Sequence, residues 1–384
     1  MSDRAACHPC ETASDNRPPP CSARLGPRPL ALHMAHAELA WKTEAPSRLR
    51  DFLRGVRAYR DHPYRRIPPP MPPVWQLGAS RLVDYGSDGG WPLLVVPSLV
   101  NRAYVLDLMP GAGLLSYLSD GRIRPFLLDW GAPEAEDRLL TLDDYIQGRM
   151  DAAFEWIIKS TGRKPLMLGY CMGGTLATAL ACRRPDDCTG LALIATPWDF
   201  QDDQLIAQHL VAGGELLSQA SGLVGSMSVD QLQTMFALID RMAVPNKFAD
   251  FASLAPASDK AMHFVAIEDW LNDGVPLGAD LAARCLTDWY GQNTPALGNW
   301  KVGGEVVCPE KFDRPAFLAI PTHDRIVPSA SALALANTLP TTSIIRPSGG
   351  HIGMVVGRHA KTRLWKPLLA WLQKIAAMQK IIDG

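Results

Sequence analysis

Long apolar runs are what this 384-residue sequence most plainly lacks. No stretch approaches the ~20 residues that a membrane-spanning helix needs, so no transmembrane segment is expected. The N-terminus has no apolar core of the kind a secretory signal carries. Excess charge is missing as well. With 38 Lys and Arg against 39 Asp and Glu, the formal net charge is −1, which gives no general reason to expect nucleic-acid binding. The eight cysteines have neither a disulfide-like nor a zinc-like rhythm. Cys7 and Cys10 form a Cys-His-Pro-Cys, but no second pair completes a metal site. No metal and no cofactor is therefore expected, and a reduced cytoplasm is the economical location.

What is present fits one α/β catalytic unit with additions. Apolar residues make up 47% of the chain, enough for a large core. Residues 1–45 are rich in Pro, Ser and Arg, with Pro18 to Pro20 in a row, and are expected to be a disordered tail. On that reading Met34, close to the onset of ordered-looking sequence, is the expected natural start. Residues 46–90 form a leading segment. From Ser47 to Arg60 the spacing of Leu49, Phe52, Leu53 and Val56 predicts a helix with one apolar face. Arg48, Arg50, Arg54, Arg57 and Arg60 dominate its remainder, and a solvated arginine face on a packed helix is the favoured reading. The core is expected over 91–198 and 315–384, where strand and helix alternate, so a mostly parallel central sheet flanked by helices is predicted. Thr141 to Gly162 reads as a capped helix. Between them, 199–314 loses the alternation and reads as a helical cap or lid with scattered aromatics.

The chemistry gathers at Gly169-Tyr170-Cys171-Met172-Gly173-Gly174. An apolar strand ending at Leu168 precedes it and a helical stretch from Thr175 follows. Strand, glycine-pinched turn and helix make the nucleophile elbow of the α/β-hydrolase architecture, with cysteine where serine usually stands. The glycines keep a sharp turn uncrowded, and the thiol lies near a helix N-terminus, where the dipole favours negative charge. A nucleophile needs a base, and the base an orienting acid. Asp324 falls in the loop after the apolar run Pro315 to Ile320, and His351 sits between glycines after the strand Ser343 to Arg346. The order Cys171, Asp324, His351 is the one this architecture uses.

Further segments carry a resemblance. Val96 to Leu108, Leu127 to Pro133 with Asp137-Arg138, Thr141 to Ile146, Ala195 to Phe200 and Trp270 to Gly274 all fit one family in order. From about Trp91 to His351 the chain resembles the polyhydroxyalkanoate synthases, in their short form. The resemblance implies an acyltransferase that polymerises (R)-3-hydroxyacyl-coenzyme A thioesters into polyester through a covalent thioester. It assigns Cys171 as nucleophile, His351 as general base and Asp324 as its partner. The oxyanion donors would be the backbone N–H of Met172 and one from the loop Ser98 to Asn101, taken as Val100. Its partners would be the coenzyme A substrate and the growing chain, with a helper subunit and a homodimer both in keeping with it, and the polymer granule surface as the workplace. The sequence departs from the family after the acid, where Arg325 and Ser329 replace a His and a Trp and His323 precedes the acid. A thiol-dependent hydrolase, either a depolymerase or a thioesterase, is the alternative. A non-catalytic granule-binding protein is the third reading.

Overall fold

A computed structural model describes residues 24–86, 89–202 and 204–383. Its centre is an eight-stranded sheet: β1 Pro73–Leu77, β2 Ser80–Asp84, β3 Trp91–Val96, β4 Ile123–Asp129, β5 Leu166–Tyr170, β6 Leu191–Ile194, β7 Ala316–Ala319 and β8 Thr342–Ile345. The spatial order is β1-β2-β4-β3-β5-β6-β7-β8. β1 and β2 pair antiparallel, as do β2 and β4, and every pairing from β4 onward across the sheet is parallel. The expected α/β class and mostly parallel sheet are present.

Burial explains the pattern of strand sequences. All six residues of β3 and all five of β5 are buried, as parallel strands covered on both faces require. Alternate residues serve opposite faces: Leu94, Val96 and Met167 join one apolar cluster, and Leu93, Val95, Leu166 and Leu168 the other. The edge strand β1 is mostly exposed, and the edge strand β8 has no buried residue.

Helices cover both faces: α3 Leu114–Asp120, α4 Asp151–Thr161, α5 Met172–Arg183, α11 Ser329–Thr338, the short α12 Gly353–Val356 and α13 Lys366–Asp383. The helix predicted from Thr141 is opened by a reciprocal cap. The Asp144 carboxylate accepts from the Thr141 N–H at 2.8 Å, and the Thr141 hydroxyl accepts from the Asp144 N–H at 3.2 Å. It begins as a widened turn over Asp144–Met150 and stops at Gly162, whose φ of +67° is left-handed.

Two helices precede the sheet: α1 Leu30–Trp41 and α2 Pro46–Asp61. The first corrects the expectation of a disordered tail through residue 45, and Met34 lies inside it. Tertiary contacts outweigh the composition here. Arg24 inserts between the Asp269 carboxylate, at 2.5 and 2.6 Å, and the carbonyls of His62 and Tyr64. Pro18 to Pro20, Cys7 and Cys10 lie outside the described residues. α2 turns Phe52 and Val56 inward as its spacing predicts, and Tyr59 with them, but Leu53 is 45% exposed and sits at the edge of the arginine face. Gly55 is where α2 meets its neighbour, since a Cβ there would lie 1.9 Å from the Phe248 carbonyl oxygen.

Between β6 and β7 lie α6 Gln204–Val224, α7 Val229–Ile239, α8 Ala243–Phe251, α9 Asp259–Asn272 and α10 Ala279–Arg284. They stand over the C-terminal ends of the strands, where open α/β sheets keep their chemistry.

Candidate active site

Cys171 is the hinge between β5 and α5, at φ +55° and ψ −131°. A non-glycine residue in this region is strained, and such strain persists only where the surroundings enforce it. Here they do. The Cys171 N–H donates to the Ile194 carbonyl at 2.9 Å, and the Gly174 N–H closes the turn on the Cys171 carbonyl at 2.8 Å. Glycine is required at two positions by space: a Cβ at Gly169 would lie 2.3 Å from Gly174 Cα, and one at Gly173 would lie 2.2 Å from the Val96 oxygen. α5 can therefore start directly against the end of β3, and Met172 is its first residue. The Met172 N–H is thus among the helix-end donors that have no intrahelical partner.

Asp324 and His351 reach this elbow from the ends of β7 and β8. The loops after β7 and β8 are pinned together, His323 N–H to the Gly349 carbonyl at 3.2 Å and Thr322 N–H to the Pro347 carbonyl at 3.1 Å. Gly349, at φ +119°, lets the second loop swing His351 inward. Asp324 has a fully buried side chain, and its Oδ1 accepts the N–H groups of Ile326 and Val327 at 2.8 and 2.9 Å. That fixes Oδ2, which lies 2.7 Å from His351 Nδ1. Nδ1 therefore carries the proton facing the carboxylate, and the far side of the ring hydrogen-bonds the Cys171 side chain.

Electrostatics bind the three into a unit. Burial pushes the His351 pKa down. The negative charge of a Cys171 thiolate and the hydrogen bond donated to Asp324 outweigh it and bring the imidazole to about 10. Elsewhere in the molecule burial drives Cys182, Cys188 and Cys285 up to about 12, which keeps those thiols neutral and inert. Sequence reasoning missed Tyr170. Its ring lies against the imidazole at a centroid distance of 5.3 Å, and its hydroxyl donates to the His351 carbonyl at 3.3 Å. Its place beside Cys171 in the elbow motif was the available signal.

The departures in the acid loop resolve simply. His323 is exposed and hydrogen-bonds Thr322, away from the imidazole. Arg325 pairs with Asp240 at the end of α7, linking the acid loop to the cap. Ser329 caps the turn by donating to the Pro321 carbonyl at 2.8 Å.

Above the thiol opens a cavity of about 410 Å³. Cys171, Met172 and His351 line one part, and apolar side chains of the cap such as Met227, Leu232, Phe236, Leu286 and Trp289 line most of the rest. Val100 and Asn101 form its rim, but the Val100 N–H already donates to Ser98 Oγ at 3.2 Å. This rim is braced from the cap: Asn101 pairs with Gly274, and the Trp270 indole N–H donates to the Arg102 carbonyl at 2.7 Å. Among the described residues no cluster of three or more His, Cys, Asp or Glu could hold a metal, and no helix is long and apolar enough to cross a membrane.

Comparison with known proteins agrees with this architecture. The model of the α/β hydrolase fold family matches residues 92–357. The chain is similar to the poly(3-hydroxyalkanoate) polymerase subunit PhaC of Haloferax mediterranei, with 28% identity over 287 residues, covering 73% of this chain and 58% of that protein. The PhaC subunit of a Synechocystis species is 28% identical over 294 residues, covering 74% of this chain and 78% of that one. The PhaC subunit of Cupriavidus necator is 29% identical, covering 71% of this chain and 48% of that protein. The chain thus spans about half to three quarters of these relatives. Among solved structures, the α/β hydrolase GrgF from Penicillium sp. sh18 superposes with a TM-score of 0.50 at 15% identity, covering 78% of this chain and 94% of that one, a likeness of fold.

Proposed function

Because the chain belongs to the α/β-hydrolase fold family, its elbow cysteine marks a departure in chemistry, and we propose that it is an acyltransferase building polyhydroxyalkanoate from (R)-3-hydroxyacyl-coenzyme A. The observation that carries this reading is the chain of contacts Asp324, His351, Cys171 at the mouth of an apolar cavity. The similarity to polymerase subunits supports the substrate class.

The steps follow from the geometry. The Cys171 sulfur, its proton held by the far nitrogen of His351, attacks the thioester carbonyl, and charge develops on the carbonyl oxygen. The Met172 N–H, at the start of α5, would receive it, and the Val100 N–H would join by exchanging its bond to Ser98. Collapse expels coenzyme A thiolate, which takes a proton from His351. One thioester has replaced another, so little free energy is lost. The hydroxyl of a second 3-hydroxyacyl group then gives its proton to the far nitrogen of His351 and attacks the acyl-cysteine carbonyl. An ester forms and the Cys171 sulfur leaves. This transfer is downhill, which is why the acceptor must be sulfur: a serine would form the ester one step early. Asp324 keeps the ring in one tautomer throughout. The cap limits water, the competing acceptor. The triad, the oxyanion donors, work at the polymer surface in the cytoplasm and a helper subunit all belong to this proposal.

The test is purified protein with 3-hydroxyacyl-coenzyme A thioesters, following thiol release and the acyl product beside Cys171→Ala. Thiol release with insoluble polyester, lost in the variant, is the expected result. Free hydroxy acid as the only product would make the protein a thiol hydrolase. No release with any thioester or helper subunit would overturn catalysis.

A further inference from the structure

The cavity is larger than the triad needs, and part of its wall comes from an unexpected place. Pro27, Arg28 and His33, from the segment leading into α1 and from α1 itself, line the same cavity as Cys171. They belong with a different part of the molecule. α1, α2, α8 and the start of α9 share a third apolar cluster built on Phe52, Val56, Tyr59, Phe248 and Phe251, whereas Cys171 packs between the two clusters of the sheet. The cavity therefore runs from the catalytic core to the N-terminal helices. At 410 Å³ it has the size of sites that take whole small ligands, well beyond a four-carbon acyl group.

We propose that residues 24–41 form the closing wall of the acyl site, with His33 setting how long an acyl substituent the cavity admits. This rests on the reading that the cavity receives the acyl chain delivered to Cys171. The ligand class is an acyl group with an unbranched apolar tail of more than four carbons.

The wall is fixed on two sides. Arg24, 6% exposed, holds Asp269 of α9. Arg28 bonds Asp230 of α7 at 2.8 Å and the Asn272 side chain through its backbone N–H at 3.0 Å. His33, 2% exposed, contacts the Arg28 carbonyl through Nε2 at 3.2 Å, which makes Nε2 the protonated nitrogen, and its Nδ1 has no partner. Burial holds its pKa down to about 4, so the ring is neutral and presents an uncharged face. The charges nearby are neutralised: Lys247 pairs with the buried Glu268 at 2.6 Å. A wall of this kind stops an apolar tail by contact without attracting an ionic one.

The experiment measures the cavity without relying on turnover. Alkyl methanethiosulfonates from methyl to decyl react with the Cys171 sulfur, forming a mixed disulfide and releasing methanesulfinate, and mass spectrometry of the Cys171 peptide gives the rate. In the wild-type chain the rate is expected to rise with tail length, up to about four-fold per methylene, until the tail meets the wall. His33→Trp should move that limit to shorter tails and cut the octyl-to-methyl ratio at least ten-fold, while His33→Ala should move it to longer ones. A flat length profile in the wild type, or the same profile in all three folded proteins, would overturn the proposal. Failure to release coenzyme A from any thioester would remove the synthase reading and leave these profiles to stand or fall on their own.

Discussion

Two regions of this molecule are held together by different means. The sheet and its helices rest on continuous apolar burial, with Leu93, Leu94, Val95 and Val96 of β3 fully buried and side chains interleaved on both faces. The N-terminal helices and the cap share a small aromatic cluster and are otherwise clasped by charge: Arg24 to Asp269, Arg28 to Asp230, Lys247 to Glu268 and Arg325 to Asp240. Dense packing fixes side-chain geometry, which the proposed nucleophile and base need. A region held by a few ion pairs and one small cluster is expected to open locally before the sheet does. On the proposed function, the difference separates the part that would perform chemistry from the part that would decide what reaches it.

The largest expected effects lie in the packed region. Asp324→Asn keeps an acceptor for the Ile326 and Val327 N–H groups but loses the carboxylate at His351 Nδ1. It should lower kcat for coenzyme A release about 10⁴-fold with the melting temperature little changed. A fall of less than ten-fold would detach the acid from the mechanism. Gly173→Ala, which forces a Cβ to within 2.2 Å of the Val96 oxygen, should cost about 3 kcal/mol in denaturant unfolding. An unchanged midpoint would mean that the elbow is not tightly packed.

Next comes the clasped region. Arg24→Ala leaves Asp269, 23% exposed, without its cation, and should cost about 2 kcal/mol. The loss should be local: hydrogen exchange should accelerate in α1 and α2 and stay unchanged in β3 and β5. Equal acceleration in both would show that the two regions unfold as one. The elbow offers a test of charge within the packed part. His351 stands at about 10, above its usual 6.5, and the thiolate charge is a leading cause. A raised pKa contributes stability that is present below about 6.5 and disappears as the pH climbs through about 10. Cys171→Ala removes the negative charge and leaves burial opposed only by Asp324, so the His351 titration followed by NMR should shift downward and the stability loss should move to lower pH. A titration that stays at about 10 would assign the shift to Asp324 alone.

The same contrast explains how much was legible in the sequence. Strands β3, β5 and β7 announce themselves as short apolar runs, and the elbow is written in consecutive residues, so Cys171, Asp324 and His351, the proposed nucleophile, acid and base, could be picked out from local pattern and order. The two loops that bring Asp324 and His351 together are short, which left their side chains few other places to go. The N-terminal helix α1 was not legible, because Arg24 and Arg28 find their carboxylates more than 200 residues away and a proline-rich composition hides that. The rim around Val100 was less legible for a similar reason: the bond from its N–H to the hydroxyl two residues earlier and the brace from Trp270 and Gly274 of the cap are not written in local pattern.

The arginine face of α2 gives the smallest expected effect and the sharpest limit on the comparison. Arg48 is used, with Asp250 at 2.8 Å and its guanidinium 5.5 Å from the Trp41 ring, so it belongs to the clasp between the N-terminal helices and α8. Arg54 reaches only Asp51, one turn back on its own helix, at 3.0 Å, and its side chain is 68% exposed. A pair of this kind contributes a few tenths of a kcal/mol at low salt and less at high salt. Arg54→Ala should therefore shift stability by less than about 0.5 kcal/mol, whereas Arg48→Ala should cost more and accelerate exchange in α2. If the two substitutions cost the same, the face as a whole carries the docking of α2 and the distinction between clasp and solvated surface fails at this helix. If Arg54→Ala leaves stability untouched but lowers the fraction of protein that sediments with polyester, the exposed arginines contact the polymer surface, a role that packing alone does not require.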